Sequence, residues 1–157
     1  MGGVRDTDKG YRKLVNTLSG NPKTRITVGV HEVAGQEIHP GTTLTVAELA
    51  TIHEFGTDTI PERSFLRAWF DENRERCHEA VKRMAQSVMR GERSREDAIE
   101  ILGQTFVAQI QKRIAKGIPP PNSPATIAAK GSSTPLIDTG ILRTSITYAV
   151  DKVLSNT

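Results

Sequence analysis

One cysteine, Cys77, stands in a chain of 157 residues, so no intrachain disulfide framework can form, and a reducing compartment suits it. No run approaches the roughly 20 apolar residues that a membrane span requires. The opening "MGGVRDTDKG" lacks the apolar centre of a signal peptide, and Asp6 stands where a myristoylation signal wants Ser or Thr. The expectation is a soluble protein made in the cytoplasm, with no membrane among its partners.

Catalytic signatures are missing too. "IHEFGT" begins like a zincin helix, but the quintet His53-Glu54-Phe55-Gly56-Thr57 has no second histidine one turn on to share the metal. Adjacent helix residues point apart, so His53 and Glu54 alone make no ligand pair, and His53 reads as a surface or helix-end residue. His31, His39 and His78 show no ligand spacing. No Gly-x-Ser-x-Gly elbow occurs, and Cys77 falls on an apolar helix stripe rather than at an electropositive helix start. In "AKGSST" Lys130 precedes Gly131 and the upstream glycine of a phosphate loop is absent. The expectation is no enzyme, no metal and no cofactor.

Charge is present but uneven. The formal net charge is +3, and from Lys112 onward six Lys or Arg face only Asp138 and Asp151. That bias suits an acidic partner or a phosphate backbone. Along the central helix, however, Asp71, Glu72, Glu75 and Glu79 interrupt the arginines, so no clean basic face of a sequence reader emerges.

The length fits one domain over residues 1–157. Tyr11, Leu14, Val15 and Leu18 follow one helix face, stopped by Gly20-Asn21-Pro22. Ile26, Val28 and Val30 alternate with Arg25, Thr27 and Gly29 as in a half-buried strand. Residues 34–43 read as a loop or hairpin tip, with a hairpin over 36–45 as the link between strands. Thr45 and Glu48 have capping-box spacing for a helix that Gly56 ends. Leu66, Trp69, Phe70, Cys77, Ala80, Val81, Met84 and Val88 form one stripe of a long helix, broken near Gly91. Ser94 caps the next helix, whose apolar face is Ile99, Leu102, Phe106, Ile110 and Ile114; Lys112, Arg113 and Lys116 complement its dipole before Gly117. These two helices are expected to form an antiparallel pair. The Pro-rich stretch from about 117 to 135 reads as an extended loop or arm. After a cap and turn at Asp138-Thr139-Gly140 comes a last strand, with Ile146, Tyr148 and Val150 on one face, and a frayed end over 152–157. The fold class is α+β: a small antiparallel or mixed sheet packed against a long helix pair and shorter helices, with a long Pro-rich loop. Exposed sheet edges favour pairing with another chain.

Two stretches carry more than patterning. Glu54-Phe55-Gly56-Thr57, Ile60-Pro61 and Phe65-Leu66-Arg67 come first; Pro135-Leu136-Ile137-Asp138-Thr139-Gly140, with Leu142, Arg143, Ser145 and Ile146, follows. Together and in this order they resemble the paired signatures of the tail-completion, or head-tail joining, proteins of tailed bacteriophages, and the likeness runs from about residue 24 to 151. Glu62 and Ser64 depart from it, standing where Ala and Pro are more typical. The resemblance implies a structural virion protein: a homo-oligomeric ring at the neck, hexameric, with a twelvefold ring as the alternative. Its neighbours would be the head-tail connector or stopper and the tail terminator or tail tube, with DNA passing through the lumen, and it would reside in the virion after assembly in the host cytoplasm. The motif residues would act as joints or interface positions. Phe65 and Trp69 are expected to fill the chain's own core, and Asp138 and Thr139 to cap locally. Competing readings are a tail-terminator ring, a non-specific DNA-binding protein and a metal-dependent hydrolase.

Overall fold

The computed structural model describes residues 23–124, 127–128 and 140–153. The chain is α+β, in the order β1 (Lys23–Val30), α1 (Glu32–Gly35), α2 (Val46–Phe55), α3 (Arg67–Met89), α4 (Arg95–Ala115), α5 (Ile141–Thr144) and β2 (Ile146–Val153). The helix expected at Tyr11 to Leu18 lies outside the described residues.

β1 and β2 pair antiparallel, Ile26 opposite Val150, Val28 opposite Tyr148 and Val30 opposite Ile146. The alternation puts these six side chains on one face, which lies on α4. There Tyr148 covers Gly103 so closely that a Cβ at that position would sit 2.4 Å from the ring. Gln111 of α4 donates to the Ile146 carbonyl at 3.2 Å. The opposite face is polar: Arg25 stands across from Asp151, and the His31 ring bridges Thr27 Oγ1 at 3.0 Å and Thr147 Oγ1 at 2.8 Å.

The helix termini follow local rules. Thr45 Oγ1 accepts from the Glu48 amide while the Glu48 carboxylate accepts from the Thr45 amide, a complete capping box for α2. Ser94 Oγ accepts from the Asp97 amide at 3.0 Å to start α4. α3 and α4 run antiparallel: Trp69 near the start of α3 meets Phe106 with ring centroids 5.8 Å apart, and Arg113 near the end of α4 pairs with Glu72 at 2.5 Å. Val46, Phe65, Trp69, Ile110, Ile114, Leu142 and Ile146 form the heart of the core.

Four expectations need correction. No hairpin over 36–45 joins the strands. That segment follows the short helix α1 and is closed by a single bridge, Ile38 to Thr45, whereas the partner of β1 is the far end of the chain. The physical reason is the matching apolar face of β2, which 36–45 cannot offer with Ile38 more than half exposed. Second, helix α1 runs into what reads as loop at Ala34 and Gly35, because residues 32–35 take one turn with the Gly35 amide bonded to the His31 carbonyl at 2.8 Å. Third, the last strand does not fray at Lys152 and Val153, which pair with Thr24 and Lys23. Fourth, Phe70 and Val81 leave the buried stripe of α3 and are each 47% exposed, because the spacing marks a face whose partners cover only part of its width.

Candidate assembly site

The joint between α2 and α3 is built on Glu54. Its side chain lies in the last turn of α2 and is buried, 6% exposed. Oε1 accepts from the Ser64 hydroxyl at 2.6 Å and the Arg67 amide at 2.9 Å; Oε2 accepts from the amides of Phe65 at 2.9 Å and Leu66 at 3.0 Å. The first amides of a helix have no partner within it. Here a carboxylate from the preceding helix satisfies them, and its negative charge faces the positive end of the α3 dipole. Burial pushes the Glu54 carboxyl upward, but the bonds from Leu66, Ser64, Arg67 and Phe65 outweigh it and leave the pKa below its ordinary value.

The two departures from the phage signature both have partners in this joint. Ser64, besides donating to Glu54, accepts from the Ala68 amide at 3.0 Å, and Glu62 pairs with Arg67 at 2.5 Å. The connecting loop is equally constrained. Gly56 has φ +73°, and a Cβ there would lie 2.8 Å from the Glu62 amide nitrogen, so both conformation and space require glycine. Thr57 closes the loop, its amide donating to the Ile60 carbonyl at 2.8 Å and its Oγ1 accepting from the Ile60 amide at 3.0 Å.

Arg63 fastens this joint to the Pro-rich stretch. Its amide donates to the His53 carbonyl at 2.7 Å, while Nε donates to the Pro120 carbonyl at 2.8 Å and Nη2 to that of Pro121 at 3.2 Å. The guanidinium is buried, which lowers its pKa. The start of the proposed arm is thus held against its own chain; 129–139 lie outside the described residues.

Beside the joint, α2, α3 and β1 enclose an apolar hollow of about 640 Å³ with Phe65, Leu66 and Trp69 among its walls. Phe55 and Phe70 line it while remaining 61% and 47% exposed. The Arg67 guanidinium lies 5.0 Å from the Phe55 ring centroid, and Arg74 lies 5.7 Å from that of Phe70. Such cation–π contacts hold the two rings in defined positions at the surface.

The structure brings part of the second motif to the first. Leu142 and Ile146 pack in the same core as Phe65, Ser145 Oγ donates to the Ile141 carbonyl at 2.8 Å, and Arg143 is half-buried. Gly140 precedes α5 with φ +79°. Thr57 and Pro61 are exposed. Pro135, Leu136, Asp138 and Thr139 lie outside the described residues, and with them the cap expected there. Trp69 and Phe65 fill the core as expected. Arg63 and Ser64 are the contributors that patterning missed: Ser64 one turn before Ala68 was a readable capping signal, whereas no spacing rule links Arg63 to prolines 57 and 58 positions away.

Chemically, the arrangement is a joint with an apolar hollow beside it. All four hydrogen bonds at the Glu54 carboxylate come from its own chain, and the hollow offers apolar contact with two oriented aromatic rings. Among the described residues no group of three His, Cys, Asp or Glu could hold a metal ion, and no helix is long and apolar enough to cross a membrane. No protein-family model, curated protein or solved structure matches the chain.

Proposed function

We propose that this chain is a structural virion protein of a tailed bacteriophage, forming a ring at the neck that joins the filled head to the tail. The observation that carries the reading is the joint itself. The first stretch resembling tail-completion proteins, residues 54 to 67, is a rigid elbow organised by Glu54, with Phe55 presented at its surface beside an apolar hollow. A subunit that must meet identical neighbours benefits from such fixed geometry, because heterologous contacts close into a ring only when each interface repeats the same rotation. In this reading the hollow receives an apolar part of the neighbouring subunit. The ring is hexameric, with a twelvefold ring as the alternative, and contacts the connector or stopper on one side and the tail terminator or tube on the other. DNA passes through it without being read. The protein acts without catalysis or cofactor.

Electron microscopy of particles made by a phage lacking only this gene tests the proposal. Separate filled heads and finished tails are expected; heads bearing abnormally long tails would instead assign tail termination, and normal infectious particles would overturn both.

A further inference from the structure

We infer that the groove between α3 and α4 is a docking site for an acidic polypeptide segment that inserts an apolar side chain, an interaction separate from ring closure. The groove has a volume of about 780 Å³ and lies across Trp69 from the apolar hollow. Trp69, Phe106 and Ile118 provide apolar wall, whereas Arg76, Arg83, Lys112 and Lys116 stand exposed along its sides. Arg76 and Arg83 are two turns apart on α3, and Lys112 and Lys116 one turn apart on α4, so each pair follows one helix flank. None of these four cations forms an ion pair among the described residues, although Glu72 neutralises Arg113 nearby. Glu79 is the acidic residue of the lining, which leaves the groove strongly cationic.

Charge complementarity selects the occupant. The chain's own segments outside the described residues do not supply it: residues 1–22 carry four Lys or Arg against two Asp, and 129–139 carry one of each sign. A DNA backbone would meet the cations but would have nothing to place against the apolar wall of Trp69, Phe106 and Ile118. A segment with carboxylates on either side of a Leu-like residue satisfies both halves of the groove. Trp69 to Arg83 spans about 21 Å of helix, room for a helical segment of about 14 residues.

The probe is a fluorescently labelled peptide of about that length, rich in Glu with a central Leu. Anisotropy reports binding, and the emission of Trp69, the chain's single tryptophan, reports the location. Binding with a Trp69 shift is expected at low ionic strength. It should weaken about tenfold in Arg76→Gln/Lys112→Gln and in the companion Arg83→Gln/Lys116→Gln, with circular dichroism unchanged, and for a peptide with Ser in place of Leu. Arg93→Gln, outside the groove, should bind as the wild type does. No binding, no Trp69 shift, undiminished binding by both double variants, or tighter binding of a short DNA duplex through the same residues would each overturn the inference.

Discussion

Replacing Glu54 by Gln preserves the size of the side chain but leaves one acceptor oxygen where two had received four donors. The new amide group would point its own hydrogens at donors of α3. Hydrogen bonds to a buried charge are individually worth about 1.5–3 kcal/mol, so Glu54→Gln should lower the unfolding free energy by roughly 2–4 kcal/mol at pH 7. The pH dependence has a definite sign. A carboxyl whose pKa is lower in the folded than in the unfolded chain contributes stability fully above the unfolded value, about 4.3 for glutamate, and loses it as the pH falls through the folded value. The gap between wild type and variant in urea unfolding should therefore be widest near neutrality and narrow below about pH 4. Glu48, Glu72 and Glu92 are also shifted downward, but they are common to both proteins and cancel in the difference. A gap that stays constant with pH would show that shape, not charge, holds the joint.

Packing between elements is close where β2 crosses α4, with Tyr148 lying on Gly103. Gly103 looks like a weak point in a helix, and exchange for Ala should gain about 1 kcal/mol of helix propensity. Tyr148 reverses that expectation, because a Cβ would collide with its ring at 2.4 Å, near the base of the side chain where rotation gives least relief. Overpacking costs about 1–3 kcal/mol, so Gly103→Ala should lower the melting temperature, and Tyr148→Val should relieve part of the loss in the double variant. A raised melting temperature for Gly103→Ala would mean that the strand moves away freely. The helices themselves were legible: Thr45 with Glu48, Ser94 with Asp97, and Gly117 after Lys116 set their ends by rules confined to a few neighbouring residues. The buried flank of α3 was less so. Phe70 and Val81 have the right spacing for the stripe, yet each stays 47% exposed, since periodicity reports a face and not the width of its partner.

The chain as a unit is closed by its ends. β1 finds its partner only when β2 has been reached, with all five of the helices named above between them. Removing residues 146–157 would take away Ile146 from the core and every ladder bond of β1, so that variant should show no cooperative thermal transition by circular dichroism. A sharp transition near that of the full chain would show that the helices form an independent core. Isolated two-stranded sheets are at best marginal, and this one depends on α4 beneath it.

The sequence by itself determined the α+β composition, the limits of α2 and α4, the apolar faces of both strands and the burial of Phe65, Trp69 and Cys77, because these depend on period and on contacts between near neighbours. Only the tertiary structure decided what Glu54 does. The sequence offers it only as a motif residue expected at a joint or interface; in place, it caps a helix that begins 13 residues later. The pairing of Arg63 with Pro120 and Pro121, and the groove that places Arg76 near Lys112, were equally unreadable. Such contacts arise when separate elements are packed together, and the packing is set by the whole core rather than by any spacing along the chain.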